Sequence, residues 1–172
     1  EAAVEASKAN EVLVNFKSDK KITPPEKRNL AVLLKQIIED FKNIKSDCNF
    51  YNIKEEVNIT LNEYVTSYDK SVDILDYILK DTEEFFDIDR TTTKGSKYSD
   101  IELYYEKRQA LLDLISAKLD ERAQTLASEA KASAIESATS MTNLLSATID
   151  EVSGTANSMR NLLADFDNDN VI

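Results

Sequence analysis

The sequence predicts an all-α fold: an elongated antiparallel helical bundle of about four helices with a very long C-terminal helix. Three observations carry that expectation. Residues 100–166 contain no proline and a single glycine, Gly154. The whole chain of 172 residues has only two glycines and two prolines, so it has few places to turn and its helices must be few and long. Apolar side chains recur in steps of three and four, the spacing of an amphipathic helix, while the Asn-Gly turns and sustained alternation of hairpins are missing. This length fits one domain, residues 1–172, with room for a real core.

Residues 1–18 place Ala2, Ala6, Ala9, Leu13 and Phe16 on one face, predicting an N-terminal helix with a small-residue seam. The lysines and arginine that follow, Lys17, Lys20, Lys21, Lys27 and Arg28, are the makings of a solvated turn. Thr23-Pro24-Pro25-Glu26 then combines an N-cap threonine, proline at the first helical position and a glutamate that can reach back to the cap. It opens a predicted second helix over 24–47, with Leu30, Leu33, Leu34, Ile37, Phe41, Ile44 and Cys48 on its apolar side.

Asn52-Ile53-Lys54-Glu55 repeats the N-cap pattern and predicts a third helix over 53–88, burying Ile53, Val57, Leu61, Tyr64, Tyr68, Val72, Leu75, Leu79 and Phe86. Residues 89–98 read as a loop, and Ser99-Asp100-Ile101-Glu102 opens the last helix, 100–166. Short connections make neighbouring helices antiparallel. Counting back from residue 94 sets Tyr77 beside Leu111 and Tyr64 beside Ala123 or Gln124. By the same count, the last helix outruns its partners beyond about residue 135. Ser133-Ala134-Ile135-Glu136 offers a break near 130–134, but the apolar register passes through it unshifted, which favours continuity.

That register is the sequence's strongest functional signal. Ala123, Ala134, Leu145 and Ala156 share one position of an eleven-residue repeat, and Ala130, Met141, Val152 and Leu163 share another. A repeat of eleven gives about 3.67 residues per turn, hence a nearly straight or slightly right-handed seam. The predicted contact residues are Leu126, Ala130, Ala134, Ala138, Met141, Leu145, Ile149, Val152, Ala156, Met159 and Leu163. Residues 137–149 carry no charge, and their other face is Ser, Thr and Asn. Such a helix suits a close helix–helix interface or, as the alternative, a helix lying in a membrane surface. Residues 147–153, ATIDEVS, resemble the small-residue coiled-coil helices of bacterial chemoreceptors; the chemoreceptor tip motif is absent, and no site residues follow from the likeness.

Composition narrows the chemistry. With no histidine there is no His-based acid–base relay, no Ser-His or Cys-His nucleophile and no ordinary zinc or haem ligation. The lone cysteine, Cys48, allows no internal disulfide and falls on an apolar stripe, where it serves as a small core residue. Phosphate-cradling glycine loops are missing, and the acidic tail from Asp165 lacks the glycine and final glutamate of a calcium loop. The expectation is therefore no enzyme: no catalytic residues, no metal, no cofactor and no small-molecule substrate. A net charge of -11 disfavours nucleic acid. The expected partner is protein, self-association included, with a membrane surface as the alternative. No apolar run reaches the ~18 residues of a bilayer span. The chain starts at Glu1, compatible with a processed or secreted product, and its sequence assigns no compartment.

Overall fold

The computed structural model describes residues 20–93, 95 and 97–169. The helix expected over 1–18 lies outside the described residues. In order, the elements are strand β1 (Lys21–Ile22), helix α1 (Pro24–Phe50), helix α2 (Asn58–Lys80), strand β2 (Phe86–Asp87), a 3-10 turn (Ile88–Thr93) and helix α3 (Ser99–Asp169). The described residues are mostly helical, in three helices of which the C-terminal one is long. The chain divides into two compact units, Glu1–Asp120 and Glu121–Ile172.

Helix α1 begins where the capping signal puts it. Thr23 has extended backbone, and the Glu26 carboxylate accepts both its N–H, at 2.8 Å, and its hydroxyl, at 2.7 Å. The two prolines that follow need no hydrogen-bond partner in a first turn. Leu30, Leu33, Ile37, Ile44 and Cys48 are its buried residues.

The end of α1 corrects the expected start of the next helix. Asn52 does not cap a helix over 53–88; it terminates α1 in the left-handed conformation, with φ 51. Its N–H donates to Asn49 O and that of Ile53 to Cys48 O, both at 3.1 Å, so two otherwise orphaned carbonyls are satisfied. Ile53 and Cys48, both buried, make the apolar pair that accompanies this stop. Asparagine serves at either end of a helix, which is why the sequence signal is two-faced. Residues 53–57 form a turn instead, and α2 starts at Asn58.

Helix α2 also stops at Lys80 rather than at 88. Asp81 turns extended, and its carboxylate accepts the N–H of Glu83 at 2.9 Å, a local bond that competes with another helical turn. The Lys27 ammonium donates to the carbonyls of Asp81 and Glu83, each at 2.9 Å, fixing the chain as it leaves the helix. Phe86 is buried as expected, but from a strand: β2 pairs antiparallel with β1, Ile22 opposite Phe86 and Lys21 opposite Asp87. An all-α reading has no place for this small sheet.

Because the connector is longer than a tight loop, the helix register changes. Tyr64 meets Tyr104, not Ala123 or Gln124, with hydroxyls 3.2 Å apart and ring centroids 5.4 Å apart. Ser71 donates to Asp100 O at 2.8 Å, and Lys107 donates to Glu63 at 2.8 Å. Tyr64 and Tyr68 both pack on Phe41 of α1, the latter stacked at 3.7 Å, so the tyrosines of α2 cover aromatic rings and not small residues of the last helix.

Candidate functional site

Every side chain described from 123 to 166 is exposed, and all eleven predicted contact residues fall in this stretch. α3 passes through 130–134 without a break. The large members of the stripe are open to solvent, from Met141 at 72 % to Ile149 at 56 %. Exposed apolar side chains are ordinary when scattered; here they form a regular row along one helix.

The row is wider than the predicted stripe. Ile135, Leu144 and Leu162 are also exposed. Leu126, Leu144 and Leu162 are spaced by eighteen residues, about five full turns, and so form a column beside the main stripe. That eighteen-residue spacing was available in the sequence but is hidden when the chain is written in elevens. Met141, Thr142, Leu144, Leu145 and Thr148 together line a depression of about 370 Å³ in the helix surface.

The threonine hydroxyls around these apolar residues are satisfied by their own helix. Thr139 donates to Ile135 O, Thr142 to Ala138 O and Thr148 to Leu144 O, each at 2.9 Å, and Thr125, Thr155 and Ser158 make the same bond at 3.0 Å. A threonine bonded in this way adds little demand for water.

The first unit contains one polar cluster that the sequence did not single out. Asp40 of α1 accepts two bonds from Arg108 and one from Tyr104, whose hydroxyl is in turn beside that of Tyr64. Arg108 is only 8 % exposed. Burial raises the phenol pKa values of Tyr64 and Tyr104 far above the usual range, and the bond to Asp40 raises that of the Arg108 guanidinium. The hint in the sequence was two charges in register with apolar neighbours: Asp40 between Ile37 and Ile44, and Arg108 between Ile101 and Ile115. The acid already accepts three bonds, and the cluster ties three helices together. A groove of about 460 Å³ between α2 and α3 is bordered by Ile59, Leu103 and the Glu63–Lys107 pair, and neither phenol lines it.

Burial also raises the Cys48 thiol pKa, which suits a core residue and not a nucleophile. Among the described residues no group of three or more carboxylate or thiol side chains is placed to hold a metal, and no helix is long and apolar enough to cross a membrane. Comparison with protein-family models, curated proteins and solved structures finds no match for this chain.

Proposed function

We propose that this chain is a non-enzymatic interaction protein that associates with copies of itself through the apolar stripe of α3 beyond Glu121. The observation that carries the reading is the row of solvent-exposed Leu, Ile, Val and Met side chains, with alanines between them, from Leu126 to Leu163. Burying each such side chain stabilises an assembly by about 1.5–3 kcal/mol before ordering costs. The contacts of the first unit support an antiparallel arrangement of its helices, because partners of rising number on α3, from Asp100 to Tyr104 to Lys107, fall from Ser71 to Tyr64 to Glu63 on α2. That unit is the stable platform, and the stripe is the working surface.

The test is a glutamate at Leu145 or at Ile149, with mass measured by sedimentation equilibrium. Association should weaken sharply while the first unit keeps its thermal transition, since both positions are exposed. Identical masses for wild type and both variants would sink the proposal. Flotation with small and large vesicles separates the membrane-surface reading, which the uncharged residues 137–149 also fit. Lipid binding by a protein that stays monomeric would favour that reading.

A further inference from the structure

We infer that the last part of α3, from about Ser137 onward, keeps its helical form only while its apolar row is covered, so that this segment folds as the chain assembles. The dependence on cover concerns the single chain; that copies of the chain supply the cover rests on the self-association proposed above.

A helix in water draws its stability from packing, from pairs of side chains three or four positions apart, or from the intrinsic preference of its residues. Packing serves α3 at its start, where Ile101, Tyr104, Leu111 and Ile115 are buried. From residue 123 to residue 166 every side chain is exposed. Preference takes over for a stretch. Twelve of the sixteen residues from 121 to 136 are Ala, Leu, Glu, Gln, Lys or Arg, which are strong helix formers and sustain the helix that far.

Beyond Glu136 that support is withdrawn. Thirteen of the twenty-five residues from 137 to 161 are Ser, Thr, Asn or Gly, all of which enter a helix at a disadvantage. Serine and asparagine side chains compete for the backbone in other conformations, threonine is stiff about its first torsion, and Gly154 gives up the most freedom. Thr139, Thr142, Thr148, Thr155 and Ser158 bond back to the carbonyl four positions earlier, which weakens a helix slightly. Side-chain pairing offers nothing in return. Asp150 and Glu151 stand ten and nine positions from Arg160, and the window holds no other charge. The final turn has no basic residue to meet the helix dipole.

Cover is the remaining source of stability, and the row has the material for it. Leu144, Leu145, Ile149, Val152 and Met159 are each more than half exposed. In a coil they are dispersed, and only a helix lines them up, so the surface and the helix form together. Extension from residues 121–136 also avoids the costly first turn of a new helix. A dilute chain therefore does not present the row, while a chain concentrated enough to meet its copies does.

The experiment uses the full chain over a range of concentrations. Mass is measured by sedimentation equilibrium, helicity by circular dichroism and local opening by amide hydrogen exchange. In the dilute monomer, amides of residues 101–119 should be protected and those of 137–161 should exchange within about tenfold of an unfolded chain. As mass rises, helicity should rise with it and exchange from 137–161 should slow by about tenfold or more. Asn143→Ala, Gly154→Ala and Asn161→Ala together raise helix preference about half a turn from Leu145, and should strengthen association by about tenfold or more. A dilute monomer already protected across 137–161, with helicity indifferent to mass, would overturn the inference and leave self-association standing. Failure of self-association shows separately, as a mass that stays at the monomer value throughout; protection or its lack over 137–161 then decides the inference by itself.

Discussion

Arg108 holds Asp40 with two nitrogens, Nε to Oδ2 at 2.6 Å and Nη2 to Oδ1 at 2.8 Å, joining positions 68 residues apart in sequence. A bidentate pair of this kind fixes both distance and rotation, so α1 and α3 can meet in only one register. In a core made chiefly of aliphatic and aromatic side chains, it is the contact with the least tolerance for error.

Removing the acid should therefore be costly. Asp40→Ala leaves the Arg108 guanidinium largely buried without its acceptor, and denaturant unfolding should report a loss of about 3 kcal/mol. Replacing both ends with apolar residues, Asp40→Leu with Arg108→Met, should recover most of that loss. If the double variant is as unstable as the single one, the pair contributes by something other than mutual compensation.

Alkaline pH should unfold the protein through its phenols. Burial raises the pKa values of Tyr64, Tyr98 and Tyr104, while an unfolded tyrosine ionises near about 10. Above that pH the unfolded chain releases protons that the folded chain retains, so stability is fully present below about pH 10 and declines as pH rises further. Tyrosinate absorbance should accordingly appear in two stages, exposed phenols first and these three only as helicity is lost. All seven tyrosines ionising together in the folded protein would contradict this.

The N-terminus of α1 makes a smaller and more local prediction. Glu26→Ala removes the acceptor for both the N–H and the hydroxyl of Thr23, and the melting transition should report a loss of about 1 kcal/mol. Glu26→Gln keeps a carbonyl acceptor in place and should lose less.

Gly154 predicts a gain. It lies within α3 without a positive φ, and a Cβ added there would meet nothing within 4 Å. Gly154→Ala should stabilise the helix of the second unit by about 0.5–1 kcal/mol, seen as higher helicity near its melting point.

The sequence disclosed the helices wherever a local rule was unambiguous. Thr23 through Glu26 opens α1 because proline and the glutamate act within a single turn, and the lack of proline and of all but one glycine after Ser99 leaves α3 uninterrupted. Asn52 misled because its preference for left-handed backbone and its preference for helix starts look alike in one dimension. The stop at Lys80 was hidden for a different reason: Lys27 holds the carbonyls after it from 54 and 56 positions away. That misplaced stop shifted the partner of Tyr64 and hid the bond between Asp40 and Arg108. Of the candidate surface, the main stripe was legible from spacing alone, the Leu126–Leu144–Leu162 column was present in the spacing but masked by the repeat of eleven, and the inward-turned threonine hydroxyls required coordinates.

The small sheet gives the first unit a buckle. Ile22 lies against Phe86, the N–H of Ile88 reaches Lys20 O at 2.9 Å, and Lys27 fastens the chain just inside, so the two ends of the α1–α2 hairpin are clasped at its mouth. A protease that cuts the bend at 51–57 would produce a nicked molecule whose halves stay locked together. Two separate polypeptides, each carrying one strand of the clasp, are accordingly expected to reassemble on mixing, with recovered helicity as the check.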